Sequence, residues 1–495
     1  MKVFPIILCV LIFGVTARPQ ASNSSLAITN VTVIDMTGAS PRAGMTVIIT
    51  GNQIKMIGKS GQVRIPRGAK IVVARGKYLI PGLWDMHVHF TEVERSFPMF
   101  IANGVTGVRN MGGDLDQLLR WRADVHAGKL LGPRIVTCGP IVDGPDPAAH
   151  GSVVIAANAI EGRRVVDDLK RRGADCIKVY DRLPRDAYFA IIGEGKVQGL
   201  PVVGHVPLAI TSGEASSAGQ RSIEHLGNIF ESASTLESTL LKEESSSQAV
   251  TDPSEFPRRI AARGERMLDT YDQQRATELF STFVRNRTWQ VPTLETKWAQ
   301  TFIDDLVHQP DSRLKYIPAS QYKWWTPEKN FFAKYRTPEY IVYRKRLFQR
   351  ELELVREMHR AGVLFMVGTD LSGAYVFAGF SVHHEMELFV QAGFTPLEAL
   401  QAATRNPALF LGEENAEGTV EAGKHANLIL LTADPLKDIR NTQRIDAVVL
   451  NGTYLPKARL HRLLAKAESS ARKPENEPYT RNLDRSHSTG LPYAK

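Results

Sequence analysis

From residue 79 to residue 412 the chain alternates short apolar runs with longer stretches whose apolar positions recur at helical spacing. The short runs fall at 79–89, 105–110, 134–138, 176–180, 202–206, 222–225, 289–292 and 364–368. Strand-like and helix-like segments in strict alternation predict repeated β-α units and a parallel sheet. Eight such units, in a region of roughly 250 residues plus insertions, predict an α/β chain folded as a distorted, TIM-like (β/α)8 barrel. The surplus length falls at about 230–350, first polar and Ser-rich and then aromatic (Tyr322, Trp324, Trp325, Phe331, Phe332, Tyr335), and predicts a helical insertion. Its aromatics either pack that lobe or cover the barrel mouth.

Both flanks read differently. Short β-rich runs at 27–34, 45–49 and 53–57 alternate with Gly-containing turns such as Gly51-Asn52, and similar runs return at 418–423, 426–431 and 447–452. Residues 22–78 and 413–456 are therefore expected to build one composite β-sandwich from the two chain ends. Residues 457–495 turn polar and charged and are expected to form a tail.

The first residues look like an address. Lys2 precedes an apolar stretch from Val3 to Val15, and Val15-Thr16-Ala17 has the small-residue pattern of a cleavage site, so 1–17 is expected to be a signal peptide. No later stretch is suited to crossing a bilayer, which makes an exported protein, periplasmic or extracellular, the expectation. Of the three cysteines, Cys9 leaves with the signal, and Cys138 and Cys176 could pair without their spacing demanding it. At 43% hydrophobic and 23% charged the composition is globular. The net charge of +9 is scattered and not gathered into an aromatic-interleaved patch, which reads as surface solubility with at most a weak preference for anionic surfaces or substrates and argues against nucleic acid; the expected partner is a small-molecule substrate. A homo-oligomer is allowed but not required.

Candidate chemistry sits where the apolar runs end. His87 and His89 close the first run, Lys178 lies in the fourth, His205 and His225 end the fifth and sixth, and Asp370 follows the eighth. Each alone has a structural explanation, but catalytic residues of such barrels come from the C-terminal ends of several strands, and imidazole is a common metal ligand. Lys178 is the informative member, because an ammonium buried between Ile177 and Val179 beside cations is costly. As a carbamate it becomes an anion able to bridge two ions. The site is then binuclear: His87, His89 and Asp370 hold one ion, His205 and His225 the other, and carboxylated Lys178 spans them. Two ions about 3.5–4 Å apart generate hydroxide at neutral pH, with Asp370 as the catalytic proton carrier.

The stretches Pro81-Gly82-Leu83-Trp84-Asp85-Met86-His87-Val88-His89, Ile177-Lys178, Gly204-His205, Ile223-Glu224-His225-Leu226-Gly227 and Gly368-Thr369-Asp370 resemble the amidohydrolase superfamily. Within it they are most similar to the imidazolonepropionase-like and prolidase-like (Xaa-Pro dipeptidase) branch, over residues 27–452. The resemblance implies a metal-dependent hydrolase with two divalent ions, usually zinc, and a carboxylated lysine at Lys178. It also implies a loop His-Gly, here His150-Gly151, that contacts substrate. Relatives that cleave dipeptides often carry Ala-Tyr after the strand-five histidine, whereas Val206-Pro207 stands here. Tyr180 shares the inward face of Lys178 and either contacts substrate or packs the mouth. Arg109 either binds a substrate carboxylate or makes a structural ion pair, and one of His383 and His384 is expected in the pocket. The expected reaction is hydrolysis of an amide bond in a dipeptide or N-acyl amino acid by metal-activated hydroxide. Lactone or phosphoester hydrolysis on the same centre, and a metal-free binding or scaffold protein, are the alternatives.

Overall fold

The computed structural model describes residues 25–245, 255–326, 328–330, 336–371 and 373–473. The expected signal peptide, the aromatics Phe331, Phe332 and Tyr335, and the tail from residue 474 lie outside the described residues. The N-terminal flank forms β1 (Ser25–Val33), β2 (Arg42–Thr50), β3 (Gln53–Lys59), β4 (Lys70–Val73) and β5 (Tyr78–Pro81). β1 is the hub: one edge is antiparallel to β2, and the other runs parallel to β4 along Leu26–Thr29 and to β5 at Thr32 and Val33. Alternation along β2 turns Met45, Val47 and Ile49 into one apolar core with Leu26, Ile28 and Val31.

The run at 79–89 was expected as one strand, and it changes sheets at Gly82. β5 stays with the flank, while β6 (Leu83–Val88) pairs in parallel with β7 (Val105–Asn110), which pairs with β8 (Arg134–Thr137). A Cβ at Gly82 would lie 2.1 Å from Thr106 Oγ1, so the crossing point has no room for a side chain. A second parallel sheet follows: β9 (Ile141–Asp143), β10 (Val153–Ile155), β11 (Ile177–Val179), β12 (Val202–Gly204), β13 (Ser222–Glu224) and β14 (Trp289–Val291). Its order is β10-β9-β11-β12-β13-β14. Burial on both faces explains why most of these strands read as unbroken apolar runs.

The ladders do not run continuously around the two parallel sheets. The eighth expected strand, 364–368, contributes only isolated bridges, yet it spans one gap. Met366 N donates to Gln290 O at 3.0 Å on the β14 side, and Met86 N donates to Val367 O at 2.9 Å on the β6 side. At the opposite gap the third expected strand is split: β8 pairs with β7, and after Cys138-Gly139-Pro140 the chain resumes as β9 on β11. There Asp175 N donates to Thr137 O at 2.8 Å, and a disulfide joins Cys138 to Cys176 with Cα atoms 4.4 Å apart.

The helical insertion straddles β14. Helices Glu255–Asp269 and Gln273–Asn286 precede it, and Leu294–Thr301 and Pro338–Arg360 follow. The last is started by Thr337, whose side chain accepts from Tyr340 N, with proline in its first turn. Trp325 is buried against Tyr375 and Phe377 of the loop after Asp370, so this aromatic packs the lobe onto the segment that carries a site residue. The chain then completes the flank sheet with β15 (Leu428–Leu431), β16 (Ile445–Leu450) and β17 (Thr453–Pro456), β15 lying antiparallel to β5. Both ends thus contribute to one mixed eight-stranded sheet. Residues 457–471, expected to open a polar tail, instead form a helix whose Leu460, Leu463, Ala467 and Ala471 are buried at helical spacing. Among the described residues no helix is long and apolar enough to cross a membrane.

Candidate metal centre

β6 carries His87 into the space where the parallel strands end. Its ladder with β7 shifts register between Asp85 and Val88, the kind of irregularity that re-aims side chains. His87 Nε2 then lies 3.2 Å from His89 Nε2, and Asp370 Oδ1 lies 3.6 Å from the first and 3.4 Å from the second. The other nitrogen of each ring is engaged: His87 Nδ1 donates to Glu224 Oε2 at 2.8 Å, and His89 is bonded to the backbone of Gly112. With each other nitrogen donating to its acceptor, the two Nε2 atoms turn lone pairs toward Asp370 Oδ1. Acceptors repel unless a cation sits among them, and two ligands about 2.1 Å from a tetrahedral ion lie about 3.4 Å apart. The donor set fits a metal ion.

The second half of the site comes from β11, β12 and β13. His205 donates through Nδ1 to Asp181 Oδ1 at 2.8 Å, and His225 through Nδ1 to Thr293 Oγ1 at 2.7 Å. Their rings are 4.8 Å apart, and that of His225 is 4.6 Å from His87. Lys178 is 1% exposed, and its Nζ has no hydrogen-bond partner among the described residues. An amine placed so at the side of two imidazoles is unstable as a bare ammonium, and it fits a group that becomes an anion and takes a ligand. Gly204 leaves it room, since a Cβ there would come within 2.8 Å of Lys178 Cδ.

Behind the first half runs a fully buried network. Arg109 donates to Met86 O at 2.7 Å, to Ser222 Oγ at 3.2 Å and to Glu224 Oε1 at 2.9 Å, and Glu224 in turn holds His87. Asp85 accepts from Thr369 N at 2.9 Å and Thr369 Oγ1 at 2.7 Å, which fixes the residue before Asp370. The backbone around the site is bent into the left-handed region at His225 (φ 59°), Leu226 (φ 59°), Thr293 (φ 49°) and Asp370 (φ 56°). None of these is glycine, and such clusters of unfavourable backbone belong to functional sites.

The electrostatics suit ligands. Burial, helped by the charge of Lys178, pushes His87 well below the ordinary imidazole value and His89 down to about 3, so both rings are neutral donors. Burial lowers Lys178 to about 8, against the pull of Glu224 and Asp370. It raises Asp370 to about 6, partly offset by Lys178.

Arg109 does not reach a substrate: it is wholly buried in the Glu224 network, and the carboxylate-binding alternative is replaced by the ion pair. Tyr180 stacks on His205 with ring centres 4.0 Å apart and stands 5.9 Å from Lys178 Nζ, at the edge of the site. His150 is exposed on the loop after β9. His383 is bonded to Thr442 Oγ1 and Asn103 O in the core, while His384 pairs with Glu295. Sequence reasoning passed over Asp181, Thr293 and the role of Glu224. A carboxylate in the middle of the apolar run Ser222-Ile223-Glu224 was the available signal.

Fold and site define an α/β chain with ligand-type side chains gathered at the ends of parallel strands. A model described as "Amidohydrolase family" matches residues 78–455, and the chain belongs to that family, whose members are hydrolases of carbon–nitrogen bonds. Ochratoxinase from Aspergillus niger is 36% identical over 91 residues, a stretch that is 18% of this chain and 18% of that protein's length. Bottromycin amidohydrolase superposes with a TM-score of 0.68 at 23% identity, covering 90% of each chain. A Xaa-Pro dipeptidase with methionine bound in its active site gives 0.63 at 20% identity, over 88% of this chain and 100% of that one. These structural likenesses carry the fold.

Proposed function

We propose that this protein is an exported, metal-dependent amidohydrolase that cleaves the amide bond of a small substrate, a dipeptide or an N-acyl amino acid. The observation that carries the reading is the convergence of His87 Nε2, His89 Nε2 and Asp370 Oδ1 to within 3.6 Å of one another. His87, His89 and Asp370 would hold one zinc ion and His205 and His225 a second. Lys178, after its neutral amine has added to carbon dioxide and lost a proton, would be an anionic ligand for both. The two parallel sheets and residues 364–371 then make a distorted TIM-like barrel around the centre, with the flank sheet folded as a composite β-sandwich.

Divalent ions in such a site lower the pKa of water and polarise the scissile carbonyl. The chain supplies the rest. Glu224 and Asp181 hold the His87 and His205 rings in the tautomer that presents Nε2. Asp370 takes the proton of the attacking water and delivers it to the leaving nitrogen. Tyr180 and His150 line the substrate side. Export is supported by the N-terminal pattern at 1–17 and by the Cys138–Cys176 disulfide, a bond that persists in oxidising compartments.

Metal analysis of protein purified with zinc and bicarbonate tests the proposal. Close to two ions per chain and turnover of dipeptides or N-acyl amino acids are expected, both lost in Lys178→Ala while the circular dichroism is unchanged. Fewer than one ion per chain, or turnover that survives Lys178→Ala, would sink it. Turnover confined to lactones or phosphotriesters would keep the metal centre and overturn the substrate class.

A further inference from the structure

Lys297 was not expected in the site and takes no part in the chemistry above. It lies in helix Leu294–Thr301, the first element after β14, and its N–H donates to the carbonyl of Thr293, the residue that holds His225. Lys297 therefore sits one turn into the helix from Thr293, about 6 Å along its axis. Thr296, on the adjoining position, donates to Thr369 O at 3.1 Å. The helix is thus fastened to both halves of the metal centre by the residues that flank Lys297.

Lys297 is buried, and its only partner among the described residues is Glu351 Oε1 at 2.7 Å, from helix Pro338–Arg360. An ammonium has three donors, so two are unspent. Glu351 is 3% exposed and its Oε2 has no partner. On the same helix Arg344, also 3% exposed, has an Nη2 with no partner. A pair that served only to tie two helices together would be expected to satisfy its own valences, because each orphaned buried polar atom costs stability. The three formal charges sum to one positive, which favours an anion over a cation.

We propose that Lys297, held by Glu351 and backed by Arg344, is the subsite that binds a carboxylate of the substrate beside the metal centre. The inference rests on the amidohydrolase reading and narrows it to substrates that carry a free carboxylate, such as an N-acyl amino acid. Glu351 is a positioning residue. It fixes the ammonium so that the two unspent donors meet the carboxylate without reorganisation.

The test uses the full-length, zinc-supplemented protein with N-acetyl-phenylalanine and its C-terminal N-methylamide, following release of acetate. Wild type is expected to favour the carboxylate. Lys297→Met should raise KM for the carboxylate roughly 10- to 100-fold, the range of a lost charge-assisted bond, and raise KM for the methylamide far less. Lys297→Arg should restore most of the preference. Lys297→Met leaves Glu351 without its counter-charge, so Lys297→Met/Glu351→Leu, which removes both charges, is measured beside it. Equal losses on both substrates, or none on either, would overturn the subsite. Calorimetry of N-acetyl-phenylalanine binding separates this inference from the reading beneath it. If wild type hydrolyses neither compound, the functional reading falls. Binding at least tenfold weaker in Lys297→Met would still support the subsite, and equal binding would reject it.

Discussion

His87 and His225 stand 4.6 Å apart, ring centre to ring centre, yet they are held by different parts of the fold. His87 is anchored inward, through Glu224 to Arg109, Ser222 and the carbonyl of Met86, a chain with no solvent exposure at either charge. His225 and His205 are anchored outward, to Thr293 and Asp181 on the segments that leave the strand ends. The first half is therefore part of the core and is assembled by folding itself. The second half is held by residues on loops, and its geometry can change without a change in the core.

The largest expected effect falls on the residue the chemistry shares. Asp370→Asn should lower kcat by roughly 10²- to 10⁴-fold, the usual contribution of a proton carrier, in protein that still unfolds cooperatively. Glu224→Gln strands the Arg109 guanidinium in the core and should cost about 3–5 kcal/mol of folding stability, read from urea unfolding. Asp181→Asn, its counterpart in the other half, should weaken metal binding roughly 10- to 100-fold by chelator competition with little change in the urea midpoint. If Glu224→Gln and Asp181→Asn lose stability to the same degree, the contrast between a core-built and a loop-built half is wrong. Thr293→Val removes one hydrogen bond to His225 and should cost only about 1 kcal/mol, seen as slightly faster zinc loss.

The ligand set was legible because it violates its surroundings. A polar residue within or at the end of an apolar run stands out, as the candidate ligands His87, His89, Lys178, His205, His225 and Asp370 all do, and the structure brings His87, His89 and Asp370 together. Their supports were not legible. Asp181 and Thr293 look like ordinary loop residues until tertiary structure brings them to His205 and His225. Arg109 offered the same side chain to a pocket or to a core, and only its three buried acceptors decide between them. Glu224 precedes His225, and neighbours on a strand face opposite ways. The positive φ of His225 breaks that alternation and lets both serve one site. The run at 79–89 hid a change of sheet because apolar continuity carries no mark of which strand pairs with which. The helix at 457–471 was hidden by its charges, although Leu460, Leu463, Ala467 and Ala471 repeat at helical spacing.

The disulfide at the split third strand bears on how the protein is made. Cys138 is 0% and Cys176 2% exposed, so in the finished fold neither sulfur can be reached by an oxidant or an exchanging thiol. The bond has to close while β11 is still undocked, and β11 carries Lys178 two residues further on. The bond therefore forms before this part of the fold is complete, and a host that keeps thiols reduced during synthesis is the wrong one in which to produce this enzyme.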